Sequence, residues 1–335
     1  MRTIAIEEHY MSKAFREAMQ RQGAQPGGSA RANLTPERMA KLADLDGLRL
    51  KDMDAGQIDF QVISHIGFSS APHPEDVRPR ELGGDDEVKL AREANDQLAA
   101  AVAAHPDRFA GFAALPMAHP NAAADELERA VRDLGLKAPM ITGTTNGRFL
   151  DDPIFLPVLE RAVALNVPIY IHPGEPPLPV REAYYTGFEP AENYVLSTAG
   201  WGWHSEVGIH ALRMILAGVF DRLPTLQIII GHMGEMIPFM LARIDDTLTP
   251  QARHLQRPVP DYFLQNFHIT TSGFFTDPPL LLALQIVGAD RIIFSVDYPF
   301  SANERGRAFL DNLPVSPADK EKISHLNAER VLRLA

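Results

Sequence analysis

The segment IAIEEH, residues 4–9, opens on three apolar residues and closes on three polar ones. How its side chains alternate decides what the chain builds. In an extended strand successive side chains point to opposite faces. Ala5, Glu7 and His9 then share one face, and Ile4, Ile6 and Glu8 the other. Two isoleucines suit a face packed on helices, so the reading sends Glu7 and His9 together to the opposite side and leaves Glu8 on the outer one.

Seven further strand-like runs follow: FQVISH (60–65), AGFAAL (110–115), KAPMITG (137–143), PIYIH (168–172), LQIIIGH (226–232), FHITTSG (267–273) and RIIFSVD (291–297). Between them lie stretches with apolar residues three and four apart, including 87–105, 124–134, 155–166 and 205–220, which predict amphipathic helices. Eight strands alternating with helices predict a closed parallel (β/α)8 barrel, with residues 1–335 as a single domain. Long stretches at 21–34 and 66–86 are expected as loops over the C-terminal face, and Thr35 and Pro36 read as the cap and first turn of a helix.

The alternation test extends to the other strand tips. It turns Ile169 and Ile171 outward and Tyr170 and His172 inward. It groups Ile228, Ile230 and His232 inward on the sixth strand, and Ile293, Ser295 and Asp297 inward on the eighth. Imidazoles and carboxylates then meet at the C-terminal mouth of the barrel, where barrel enzymes place their chemistry. Any one polar tip is more readily a loop anchor. Five such groups on one face, all of types that bind divalent cations, predict a metal site. The fourth tip, MITG (140–143), offers no Lys or Glu to bridge a second ion. The expectation is one divalent ion, Zn2+ or Mn2+, held by Glu7, His9, His172 and Asp297, with His232 left for chemistry.

Composition narrows the alternatives. With 32 basic and 43 acidic residues the formal charge is -11, which disfavours nucleic acid and anionic lipid as partners. Cysteine is absent, so thiolate chemistry and Cys-ligated metals are excluded. The reading leaves no room for a leader before the first strand and finds no apolar run long enough to span a bilayer, so the expectation is a cytoplasmic protein without a signal peptide.

The order Glu-x-His, His, His, Asp on strands one, five, six and eight resembles the amidohydrolase superfamily. AIEEHY (5–10), IHPGEPP (171–177), GVFDRLPTLQIIIGHMGE (218–235), ITTSGFF (269–275) and IIFSVDYPF (292–300) resemble its decarboxylase branch. That branch acts on γ-resorcylate, 2,3-dihydroxybenzoate, salicylate and 5-carboxyvanillate and, more distantly, on aminocarboxymuconate semialdehyde. The resemblance implies the same four ligands, His232 near the substrate supported by Glu235, and Arg243 in the polar network around Glu235. It also implies a homodimer or homotetramer and a small aromatic carboxylate as substrate. Arg243, His65 and Tyr298 are the expected substrate-binding residues, and Tyr184, Tyr185, Trp201, Trp203, Phe274 and Phe275 are candidates for an aromatic slot. The implied reaction is non-oxidative decarboxylation of an ortho-hydroxybenzoate, with Asp297 delivering the proton. Metal-dependent hydrolysis or hydration of a small carboxylic acid is the alternative, and a purely structural ion a third.

Overall fold

The computed structural model describes residues 1–21, 34–66 and 85–334. Most of the two expected covering loops therefore lies outside the described residues. The strands are β1 (Ile4–Tyr10), β2 (Phe60–His65), β3 (Phe109–Ala113), β4 (Ala138–Thr142), β5 (Ile169–His172), β6 (Ile228–Ile230), β7 (Phe267–Thr270) and β8 (Ile292–Ile293). All seven neighbouring pairs are parallel and follow chain order. Helices such as Asp85–Ala104, Pro120–Arg132, Leu156–Leu165 and Gly202–Leu216 fill the crossovers, as the sequence pattern predicts, and the fold is a (β/α)8 barrel. Thr35 caps the helix Pro36–Ala43, its hydroxyl accepting from Arg38 N at 3.2 Å. The stretch 174–203 contains the helices Leu178–Tyr184 and Pro190–Ser197.

Two apolar layers show which way each strand faces. Ile4, Ile6, Phe60, Val62, Phe112, Met140, Tyr170, Ile229 and Ile293 pack together inside the barrel. Ala5, Ile63, Ile169, Ile171, Ile228, Ile230, Ile292, Phe294 and Val296 pack outward against the helices. Strands β5 and β8 match the expected alternation, and two others depart from it.

On β1, Ile4 and Ile6 face inward rather than toward the helices. Glu7 still reaches the interior because the register slips: Ala5 pairs with Gln61 and Glu8 with Ile63, three residues of advance against two. This is a β-bulge, and the extra residue flips the parity beyond it. The amides it frees, those of Ile6 and Glu7, both donate to Ser295 Oγ, at 3.2 and 2.6 Å. On β6 the inward residue is Ile229, while Ile228 and Ile230 face out. The expected inward set Ile228, Ile230 and His232 is thus displaced by one residue, and His232 enters by another route.

The seam between β8 and β1 carries one backbone bridge, Glu8 with Tyr298, and the His9 amide donates to Tyr298 O at 2.7 Å. Side chains do the remaining closure. Glu8, on the outer side as expected and fully buried, accepts from Val296 N at 2.9 Å and Tyr298 N at 3.0 Å.

Candidate metal centre

Glu7 and His9 beyond the bulge, His172 at the end of β5 and Asp297 past β8 converge at the C-terminal mouth. One donor atom from each lies within 4.8 Å of all the others. His172 Nε2 is 3.3 Å from Glu7 Oε1, and His9 Nε2 is 3.2 Å from Asp297 Oδ1. Each imidazole is turned by its second nitrogen: His9 Nδ1 meets Ser64 Oγ at 3.0 Å, and His172 Nδ1 donates to Pro173 O at 2.8 Å. Such outer partners fix ring orientation and leave Nε2 to face a cation.

Glu7 is divided between two tasks. Oε2 accepts from the hydroxyls of Tyr170, Ser272 and Thr270, the last at 3.2 Å. Oε1 is buried with no hydrogen-bond partner, and so is His9 Nε2. Buried ligand-type atoms left without a hydrogen bond in a cluster of two imidazoles and two carboxylates are costly in a closed protein and fit a divalent cation among them. Burial works to raise the Glu7 pKa, but His232, His172 and His9 outweigh it and hold the carboxyl below its usual range. Burial, with His9 alongside, pushes His172 down to about 3, which keeps its nitrogen lone pair available. Asp297 is shifted upward, chiefly by burial, against the opposing pull of His9.

A second cluster adjoins the first. Glu235 receives His232 Nδ1 on one oxygen at 2.7 Å and His204 Nδ1 on the other at 2.6 Å. His232 Nε2 lies 3.7 Å from Glu7 Oε1. Burial opposes charge on both partners. Glu235 and Glu7 nonetheless raise His232 to about 10, while His232 and His204 lower Glu235 to about 2. His232 owes its position to the turn after β6, where His232, Met233, Glu235 and Met236 all have positive φ, between 50° and 66°. Left-handed backbone costs non-glycine residues about 1–2 kcal/mol each. The inward strand position just before this turn is Gly231, where a Cβ would stand 2.9 Å from Glu7 Oε2. The strand must therefore end on a residue without a side chain before the imidazole swings in.

Above these clusters opens a cavity of about 370 Å³. Met11, Phe15, Met19, Leu34 and Ile66 form an apolar side, and Trp203, Phe274 and Phe300 surround the imidazoles. Phe274 stands edge-on to His204 and His232, and Phe300 edge-on to His9. Of the six aromatics expected in a slot, Trp203 and Phe274 line this space. Tyr184 and Trp201 are largely exposed, Tyr185 is buried outside it, and Phe275 packs on Phe309.

The three expected substrate-binding residues are placed elsewhere. Arg243 is exposed on the helix Ile237–Leu248, and the partners of Glu235 are His204 and His232 instead. His65 occupies an outward position of β2, where its Nε2 accepts from Ser12 N at 2.9 Å between the rings of Tyr10 and Phe15. Tyr298 points behind the strand, its hydroxyl donating to Asp52 at 2.8 Å and its ring lying under Arg49. Sequence reasoning missed His204, which lies in the first turn of the helix Gly202–Leu216, just ahead of the stretch 205–220 read as helical. It also missed Thr270 and Ser272, which the alternation of β7 would have disclosed.

Fold and site together define a class: parallel (β/α)8 barrels with a candidate divalent-cation centre of imidazoles and carboxylates at the strand tips. Within it, the chain belongs to the amidohydrolase family, whose model matches residues 30–334. A γ-resorcylate decarboxylase of Rhizobium sp. MTP-10005 is 36% identical over 99% of this chain and 98% of its own. The structure of 5-carboxyvanillate decarboxylase from Sphingomonas paucimobilis superposes with a TM-score of 0.87 at 30% identity, covering 100% of this chain and 99% of the other. A dihydroxybenzoic acid decarboxylase from Polaromonas sp. JS666, with bound manganese and the inhibitor 2-nitroresorcinol, gives 0.85 at 33% identity over 99% and 97% of the two chains.

Proposed function

We propose that this protein is a metal-dependent, non-oxidative decarboxylase of an ortho-hydroxylated benzoic acid, a carbon–carbon lyase built on the whole chain. What carries the reading is a cation-sized gap lined by Glu7, His9, His172 and Asp297 at the foot of an aromatic-walled cavity, in a chain 36% identical along its length to a decarboxylase of this chemistry. The donor set of two imidazoles and two carboxylates suits Zn2+ or Mn2+. The manganese in the Polaromonas relative supports the second.

When bound, a divalent cation would supply Lewis-acid polarisation of the substrate's phenolic and carboxylate oxygens. The chain's own groups perform the rest. Phe274, Phe300 and Trp203 set the width of the slot that receives the ring and keep water from its faces. His232, held protonated by Glu235, presents Nε2 to the substrate carboxylate and steadies its charge. Asp297 takes the phenolic proton and passes it to the ring carbon that bears the carboxylate. The bond from that carbon to the carboxylate then breaks, its electron pair restores the aromatic ring, and carbon dioxide leaves. The upward pull of burial on Asp297 is the direction a proton donor needs.

Exposed large apolar side chains, among them Tyr184, Phe188, Trp201, Ile209, Phe239 and Met240, support assembly as a homodimer or homotetramer. Among the described residues no helix is long and apolar enough to cross a membrane.

The test is to incubate the purified, metal-loaded protein with hydroxylated benzoates and follow carbon dioxide and the matching phenol. Equal amounts of the two are expected. A ring-opened or hydrated product without gas would overturn the reading in favour of hydrolysis or hydration.

A further inference from the structure

The carboxylate of Glu8 has no place in the chemistry above, yet it is fully buried at the edge of the site. Its two oxygens bracket one residue. Oε1 accepts from Val296 N at 2.9 Å and Oε2 from Tyr298 N at 3.0 Å, the amides on either side of Asp297. Asp297 itself has φ of 72°, a conformation that a non-glycine residue holds only when its surroundings impose it. In an ordinary barrel seam, backbone carbonyls of the neighbouring strand would receive those amides. Here a side chain, the carboxylate of Glu8, receives them instead.

The grip extends backward. Gln61 Nε2 approaches Glu8 Oε2 at 3.5 Å while Gln61 Oε1 accepts from Arg49 Nη1 at 3.0 Å. The buried Arg49 donates through Nη2 to the carbonyl of His9 and lies 4.9 Å over the ring of Tyr298. One connected network thus holds the backbone at both His9 and Asp297, residues from opposite sides of the seam. A network of buried, mutually satisfied polar groups of this kind fixes geometry rather than adding stability.

We propose that Glu8 is a positioning residue: by bracketing Asp297 at the β8–β1 seam it sets the aim of that carboxylate toward the cation and the substrate. This rests on the cation-centre and decarboxylase reading above. The effect on metal binding does not need the decarboxylase part.

The test is a double-mutant cycle between Glu8→Gln and Asp297→Asn, read by calorimetric Mn2+ titration of chelator-treated protein and by turnover. A glutamine keeps one acceptor oxygen but turns an NH2 group toward the other amide, so one of the two brackets fails. Loss of an outer-shell partner costs about 10–100-fold in metal affinity or activity. Glu8→Gln should therefore weaken Mn2+ binding by about tenfold and lower kcat by about 10–100-fold with KM little changed. Hydrogen exchange at the Val296 and Tyr298 amides should quicken. In the Asp297→Asn background the same change should cost almost nothing, because its target is gone. Should Glu8→Gln fail to fold, Gln61→Met, which removes one contact to Glu8, should give the same pattern at smaller size.

Unchanged affinity and kcat in the folded variant would overturn the proposal. So would an equal loss in both backgrounds, the mark of a general structural defect. If the decarboxylase reading alone is wrong, no hydroxybenzoate is consumed by any variant, but the Mn2+ cycle remains non-additive.

Discussion

Strands β5 and β6 lie side by side and each leads to a buried histidine, but they deliver it differently. β5 alternates regularly, Ile169 and Ile171 out, Tyr170 and His172 in, and the imidazole is simply the last inward residue. β6 runs out of inward positions at Gly231, and His232 is swung in by a turn with four non-glycine residues at positive φ. Their electrostatics differ to match. His172 donates to a neutral carbonyl and is pushed down to about 3, whereas His232 rests on Glu235 and is raised to about 10. A neutral imidazole fixed on a strand suits a cation, and a charged one on a strained turn suits an anionic substrate.

The sharpest break between the two comes from removing each. His172→Ala should lose the ion, and with it more activity than the roughly 100-fold that loss of an outer-shell partner costs. Metal analysis of the purified variant checks this, with well under one equivalent expected. His232→Asn should keep its metal and lose about 10²–10⁴-fold in kcat, the range for a missing acid–base or charge-stabilising group. If both variants lost metal alike, the two histidines would share one task and the contrast would fail.

Glu235→Gln sharpens the comparison at smaller scale. The charge of Glu235 raises the His232 pKa, and without it burial, which favours the neutral ring, gains ground. Protonated His232 is then lost at lower pH as pH rises, so the alkaline limb of the kcat profile should move downward. About 10–100-fold of the rate should go with it at neutral pH. An unmoved limb would mean that His232 is not the titrating group. Arg243→Ala is the smallest expected effect. That side chain is exposed and makes no contact with Glu235, so stability should stay within about 0.5 kcal/mol and kcat should be unaltered.

The same contrast explains what could be read from the sequence. Period-two alternation placed His172 because β5 is regular to its end, and it holds past β8 as far as Val296, whereas Asp297 reaches the mouth from a left-handed turn that no alternation describes. It placed Glu7 and His9 on the right face for the wrong reason. A bulge is one inserted residue, and nothing in IAIEEH announces it before its partner, Ser295, is seen to capture the freed amides. On β6 the rule failed by one residue, because left-handed backbone at His232 and Met233 has no period. Tyr298 and His65 look like mouth residues by position, but their partners lie far off in sequence: Asp52 on the helix Gly47–Ala55 and Ser12 just past the end of β1. His204 was illegible for a similar reason: its role is set by how a helix lies over the turn, not by spacing.

The central claim is that residues from two strands, β1 and β5, and the segment past β8 surround one cation. Anomalous diffraction from a zinc-loaded crystal tests it most directly. The account predicts a single peak per chain within about 2.0–2.2 Å of Glu7 Oε1, His9 Nε2, His172 Nε2 and an Asp297 oxygen. Two peaks in the cavity, or one peak held by His204 and Glu235 instead, would contradict it.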